Sequence, residues 1–220
     1  MPICQTRAAA VTQELRRLIK TGELPPGSRL RQVEIAGRFG VSTTPVREAF
    51  TALTREGLIR HDTHRGAVVF PPTDADVREN FEIRLALEPL ATEMAARNMN
   101  DAVSAALELS LRQLTTSVRR AATPRRSEQY ERLDRQFHRE IFAAAQRPRL
   151  AEMIGSLRDA AAAYAHLHTD GGPDQQLLEA LQAQHEELVD TLRRGRPGNA
   201  RRIAAAHVRL TASNLRPVDR

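Results

Sequence analysis

Three histidines and one aspartate are the residues best placed to do chemistry. Asp134 and His138 stand four apart, so on a helix their side chains share one face. His185 falls on the apolar stripe Leu178, Leu181, His185, Leu188, Leu192, and His207 on the stripe Ile203, His207, Leu210. Both therefore point toward a core. The turn between their helices centres near Arg196, which lies 11 residues after His185 and 11 before His207. In an antiparallel hairpin the two would stand at one height, about 16 Å from the turn at roughly 1.5 Å per residue. Buried polar groups need partners. Three imidazoles and one carboxylate converging in a helical core satisfy one another best through a divalent metal, whereas each taken singly is more often hydrogen-bonded to a carbonyl or a neighbour.

Such a centre with open coordination positions supports two chemistries. A bound metal can generate hydroxide, which would make the chain a metal-dependent hydrolase. That use also needs a general base and an open cleft, and no further motif supplies either. The same open positions can instead bind a small carboxylate. Arg84 is the candidate to pair with it, since a guanidinium suits two-point contact, and the competing reading is a salt bridge to Glu88 at i+4. His166 and His168 lack a comparable partner pattern and are expected at the surface or in packing.

Helices must position these residues. Six runs show apolar residues at a 3.6 period: Asp74–Asn98, Ala102–Ala122, Ser127–Gln146, Pro148–His168, Gln175–Arg194 and Asn199–Leu215. Breakers separate them at Pro124, Pro148, Gly171-Gly172-Pro173 and Gly195-Arg196-Pro197-Gly198. This part reads as an all-α bundle.

The first third is different. Val11, Leu15, Leu18 and Ile19 mark one helix that stops near Gly22, and Val33, Ile35, Ala36 and Phe39 mark a second with Gly40 as its C-cap. Ser42, Thr43 and Thr44 offer hydroxyls ahead of Pro45, which suits the first turn of a third helix running through Val46, Ala49, Phe50 and Leu53. Leu58–His61 and Ala67–Phe70 flank Asp62-Thr63-His64-Arg65-Gly66 as a small β-wing. Pro71-Pro72 is the natural linker. The expected fold is mainly α: a winged helix-turn-helix over residues 1–70, a linker at 71–72, and a helical bundle for ligand and metal binding and dimerisation over 73–220.

Charge follows this division. The 220 residues hold 33 Lys+Arg and 27 Asp+Glu, a net of +6. Residues 1–72 carry 11 basic and 6 acidic side chains, so nearly all of the excess sits in the first third. A basic winged helix-turn-helix sends its third helix into the DNA major groove. Arg47, one turn into that helix, is within reach of a phosphate or a guanine edge, unless it pairs with Glu48 or Glu56. The helix N-terminus, with Ser42, Thr43 and Thr44, suits phosphate, and His64, Arg65 and Gly66 stand at the wing tip. A single cysteine, Cys4, fits a reducing compartment, and no stretch has the length of a secretory or membrane-spanning segment, so a cytoplasmic protein with no membrane partner is expected.

The runs Leu30-Arg31-Gln32-Val33-Glu34-Ile35-Ala36, Gly40-Val41-Ser42-Thr43-Thr44-Pro45-Val46-Arg47-Glu48-Ala49 and Glu56-Gly57-Leu58-Ile59, with Arg65-Gly66-Ala67-Val68-Val69 in the wing, resemble the GntR family of bacterial transcription regulators. The resemblance implies DNA contacts at Ser42, Thr44, Arg47, Arg65 and Gly66. Two departures stand out: the family commonly has arginine where this chain has Thr43, and many members have one at the position of Val33. Contacts through Arg31 become an option, against its being a solvated charge. Glu82-Ile83-Arg84-Leu85-Ala86-Leu87-Glu88-Pro89-Leu90-Ala91, Leu133-Asp134 with Phe137-His138, Gln184-His185 and Ala206-His207 resemble the FCD effector domain of the FadR-like branch. This second resemblance implies that Asp134, His138, His185 and His207 ligate a divalent metal, zinc first and nickel or manganese next. The expectation is a homodimeric, ligand-responsive regulator, not an enzyme, that binds double-stranded operator DNA and a small carboxylate effector tied to organic-acid metabolism. A ligand-independent DNA-binding protein is the further alternative.

Overall fold

A computed structural model describes residues 6–20, 22–62, 66–70, 73–118, 124–168 and 175–213. The chain packs as two compact units, Met1–Val77 with Asp159–Leu167, and Arg78–Arg158 with His168–Arg220.

In the first unit three helices, α1 (Arg7–Lys20), α2 (Gln32–Phe39) and α3 (Thr43–Arg55), accompany strands β1 (Arg29–Leu30), β2 (Ile59–Asp62) and β3 (Gly66–Val69). The sheet order is β1-β3-β2, antiparallel throughout, with Leu30 opposite Ala67 and Ile59 opposite Val69. The short β1, unforeseen from the sequence, gives β3 a partner on its second edge. Leu15, Val46, Ala49 and Leu53 are fully buried and join α1 to α3. The turn before α3 depends on Gly40, whose φ of 63° is costly for any residue with a Cβ. There the Val41 N–H donates to the Ala36 carbonyl (3.0 Å) and the Gly40 N–H to Gly37 (3.4 Å), which closes α2 in a Schellman arrangement. The reading of this third as a winged helix-turn-helix is what the structure has.

The six longer helices are α4 (Asp74–Arg97), α5 (Asp101–Val118), α6 (Pro124–Ala144), α7 (Pro148–His168), α8 (Gln175–Arg193) and α9 (Pro197–Ser213). Each matches one 3.6-period run, with described ends that differ by about a turn or less. Pro124, Pro148 and Pro197, expected as breakers, are the first residues of their helices, where a missing N–H costs nothing. Thr73 caps α4: its Oγ1 accepts from the Asp76 N–H at 3.2 Å, and its own N–H donates to Asp76 Oδ2 at 2.7 Å. The core of the second unit centres on Phe137, Leu107, Leu114, Ile154 and Leu192, all fully buried. Phe137 of α6 also lies against the ring of His185, 4.9 Å between centroids, so the core continues directly into the polar cluster described next.

Candidate metal centre and nucleic-acid interface

Helix α6 presents Asp134 and His138 one turn apart, α8 presents His185 and α9 presents His207. Ring centroids lie 5.1 Å apart for His138–His185, 5.1 Å for His138–His207 and 4.6 Å for His185–His207. One nitrogen from each imidazole falls within 4.8 Å of the other two. His185 is fully buried, and His138 and His207 nearly so. Asp134 stands beside them, its Oδ1 at 3.5 Å from His138 Nδ1 and 3.6 Å from His185 Nε2. All four residues singled out in the sequence are therefore neighbours in space.

Hydrogen bonding fixes how two of the rings present themselves. His138 Nδ1–H donates to the Asp134 backbone carbonyl at 2.9 Å, which leaves Nε2 as the lone-pair nitrogen, buried and without a hydrogen-bond partner. His207 Nδ1–H donates to Gln184 Oε1 at 3.1 Å, which leaves its Nε2 as the lone-pair nitrogen. Both nitrogens of His185 are buried and unpartnered. Orphaned buried nitrogens are rare in a folded protein, because each forfeits its bond to water. The donor set therefore fits a divalent ion of borderline softness: three imidazoles, two of them oriented by hydrogen bonds, beside one carboxylate. Burial, helped by the neighbouring His138, pushes His185 down to about 3. His207 is also pushed well below its usual value, by burial first and then by His185 and His138. Burial works against an ionised Asp134, but His138, Arg158 and His185 outweigh it and hold the carboxyl well below the ordinary range.

A second buried layer backs the cluster. Arg84 Nε donates to Glu88 Oε1 at 2.6 Å. Glu88 Oε2 accepts from Arg158 Nη1 at 3.1 Å, and Arg158 Nη2 donates to Asp134 Oδ2 at 2.9 Å. Arg84 takes the ion-pair alternative raised from the sequence: it is 2 % exposed, bound to Glu88, and stacked 4.6 Å from the ring of Phe81. Burial lowers the pKa of Arg84, whereas Arg158, despite its own burial, is raised by its two carboxylates. The sequence reading missed Arg158. Its signal was a charge on the stripe Leu150, Ile154, Arg158, Ala161, the face that α7 buries.

On the first unit, Ser42 is the N-cap of α3 with extended backbone (φ −72°, ψ 168°), and its side chain makes no capping bond. Ser42, Thr43, Thr44 and Arg47 are exposed, and no acidic residue stands in the first turn of α3. Glu56, one of the two competing partners for Arg47, is taken by Arg16 through two hydrogen bonds of 2.8 and 2.6 Å. Among the described residues no carboxylate pairs with Arg47. Arg31 is exposed but not free, being paired to Glu34 at 2.8 Å. Val33, where many relatives of the resembled family carry arginine, is 75 % exposed. Gly66 opens β3 opposite Asp62, exposed and at a left-handed φ of 76°. His64 and Arg65 lie outside the described residues.

A basic winged helix-turn-helix carried with a helical domain that encloses a buried polar cluster defines a class: a ligand-responsive, DNA-binding transcription regulator. The chain belongs to the gntR family of bacterial regulatory proteins, matched over residues 7–69, and carries an FCD domain over residues 79–210. It is 33% identical over 140 residues to an HTH-type transcriptional regulator in the TAR-I ttuE-ttuC' intergenic region of Agrobacterium vitis, covering 63% of this chain and 81% of that protein. It is 29% identical to the HTH-type transcriptional repressor RspR of Escherichia coli K12, over 93% of this chain and 86% of the relative. Its fold is similar to that of E. coli McbR/YncC, with a TM-score of 0.76, 24% identity and coverage of 93% of this chain and 94% of that one. Among the described residues no helix is long and apolar enough to cross a membrane.

Proposed function

We propose that this regulator acts in the cytoplasm as a homodimer and controls genes for the metabolism of a small organic acid, with residues 1–70 as reader, 71–72 as linker and 73–220 as sensor. Ser42, Thr43, Thr44 and Arg47 meet the operator at the start of α3, with Arg31 beside them and His64, Arg65 and Gly66 in the wing. Asp134, His138, His185 and His207 hold a divalent metal, zinc before nickel or manganese. Bound there, the metal supplies a Lewis-acidic position for one oxygen of an anionic effector. Arg84, proposed from the sequence to pair with that effector, belongs to the fixed charge frame behind the site as long as Glu88 holds it. The observation that carries the sensor reading is the set of buried imidazole nitrogens without partners, which a protein that only held DNA would not need. The relatives are transcription regulators.

Operator titrations at fixed salt test the reader. Arg47→Ala is expected to weaken binding about tenfold or more, in line with roughly 1–3 kcal/mol for a base-edge contact. Affinity unchanged in this variant would remove Arg47 from the interface. A panel of small carboxylates, each shown by thermal shift to bind, should include acids that alter operator affinity. If none does, the ligand-responsive role of the proposed site fails.

The metal reading has its own measurement. His207→Ala should emerge from purification with little of the zinc that the parent retains, and with a lower melting temperature. Equal metal content in parent and variant would defeat the assignment.

A further inference from the structure

The Arg158 guanidinium is spread between two carboxylates, and what it does to the second of them has a chemical consequence. Its Nη1 lies 3.1 Å from Glu88 Oε2, while its Nη2 lies 2.9 Å from Asp134 Oδ2. Glu88 is itself anchored from the other side by Arg84 at 2.6 Å, with both of those side chains 3% exposed. Arg158 is thus pinned at one end and cannot leave Asp134 without abandoning a buried anion. The other oxygen of Asp134, Oδ1, is the one turned to the imidazoles, at 3.5 Å from His138 and 3.6 Å from His185.

We propose that Arg158 is a positioning residue for the metal centre: by occupying Oδ2 it restricts Asp134 to a single donor oxygen, and so biases the centre toward ions content with few ligands over larger, oxygen-seeking ones. This rests on the metal reading above and adds to it a determinant of selectivity. The chemistry is general. A carboxylate with both oxygens free can bind through two of them and raise the coordination number, which suits manganese better than zinc; one with an oxygen already hydrogen-bonded offers a single point. Outer partners of this kind commonly change metal affinity about 10–100-fold when removed. A lysine at the same place has one compact ammonium and cannot span Glu88 and Asp134 through separate nitrogens.

The test uses the full chain stripped of metal and titrated separately with Zn2+, Mn2+ and Co2+. Cobalt reports coordination directly, because its visible absorption weakens as the number of ligands rises. Arg158→Met is expected to lower the absorption per bound Co2+ severalfold and to reduce the preference for Zn2+ over Mn2+ about tenfold. Arg158→Lys, the milder change and the safer one for folding, should shift both in the same direction by less. Absorption and preference that match the parent in whichever variants fold would show Arg158 to be an ion-pair strut only, and would overturn the proposal. A parent chain that takes up none of the three ions would overturn the metal reading itself, which is a distinguishable result.

Discussion

Replacing Glu88 by alanine is expected to reduce the unfolding free energy by about 3–5 kcal/mol, the usual cost of removing one partner from a buried ion pair. Glu88 sits at 2 % exposure between Arg84 at 2.6 Å and Arg158 at 3.1 Å. Burial alone would favour its neutral form, yet the two guanidiniums hold its carboxyl below the ordinary range, so it is the anion that the fold requires. Without it Arg84 has lost the acceptor of its Nε, and two like charges face each other across a site that water reaches poorly. Arg84 also contacts the face of Phe81, but that contact is worth far less than a desolvated charge. Equilibrium urea unfolding measures the loss.

A companion variant shows whether charge or packing is responsible. In Arg84→Met/Glu88→Met the pair goes together and methionines fill much of the space, while Arg158 keeps Asp134 as its partner. Replacing a whole buried pair by apolar groups of similar volume is often near neutral. The double variant should therefore be more stable than Glu88→Met alone, although it removes more atoms. If losses simply add, the two residues are uncoupled and the account of an electrostatic frame is wrong.

These residues also show how far the sequence could be read. The equal offset of His185 and His207 from Arg196 was enough to set them at one height, and their rings lie 4.6 Å apart. That inference works because a tight turn between two regular helices leaves little freedom. The winged helix-turn-helix was legible for a similar reason: Gly40, Pro45 and the alternation around the wing are local constraints. Arg84 presented two readings that spacing could not separate, because an i+4 pair costs nothing to form and gives no sign of its burial. Arg158 was illegible for the opposite reason. Its partners Glu88 and Asp134 are 70 and 24 residues away, and only the packing of α4, α6 and α7 brings them together. The strand β1 is two residues long, too short for any periodicity to mark it.

The metal-free protein is expected to lose stability steadily as the pH falls from about 6.5 toward about 3, the range set by His185 in the unfolded and folded chain. The sign follows from which state takes the proton. His185 faces Asp134 and His138 on α6, His207 on α9 and Arg158 on α7; burial, with His138 and Arg158 alongside, outweighs Asp134 and keeps the His185 ring neutral. The unfolded chain has no such restraint and protonates near 6.5. Below that value it binds a proton the folded state refuses, so the unfolding free energy drops by roughly 1.4 kcal/mol per pH unit for each such group. His207 adds in the same direction, because burial lowers it too. Asp134 and Glu88 join only at more acid pH, since their folded carboxyls are lowered and their stabilisation is lost once the unfolded chain begins to protonate them. Urea unfolding in chelator, repeated between about pH 7 and pH 5, reads the histidine contribution before the carboxylates enter. His185→Asn supplies the control: whatever it costs in absolute stability, it takes one titrating group away and should flatten the slope. A parent profile flat across that range, or a slope the variant leaves unchanged, would mean that the folded protein admits the proton, and the cluster would then be a hydrogen-bonded network open to acid instead of a set of imidazoles held neutral for a ligand.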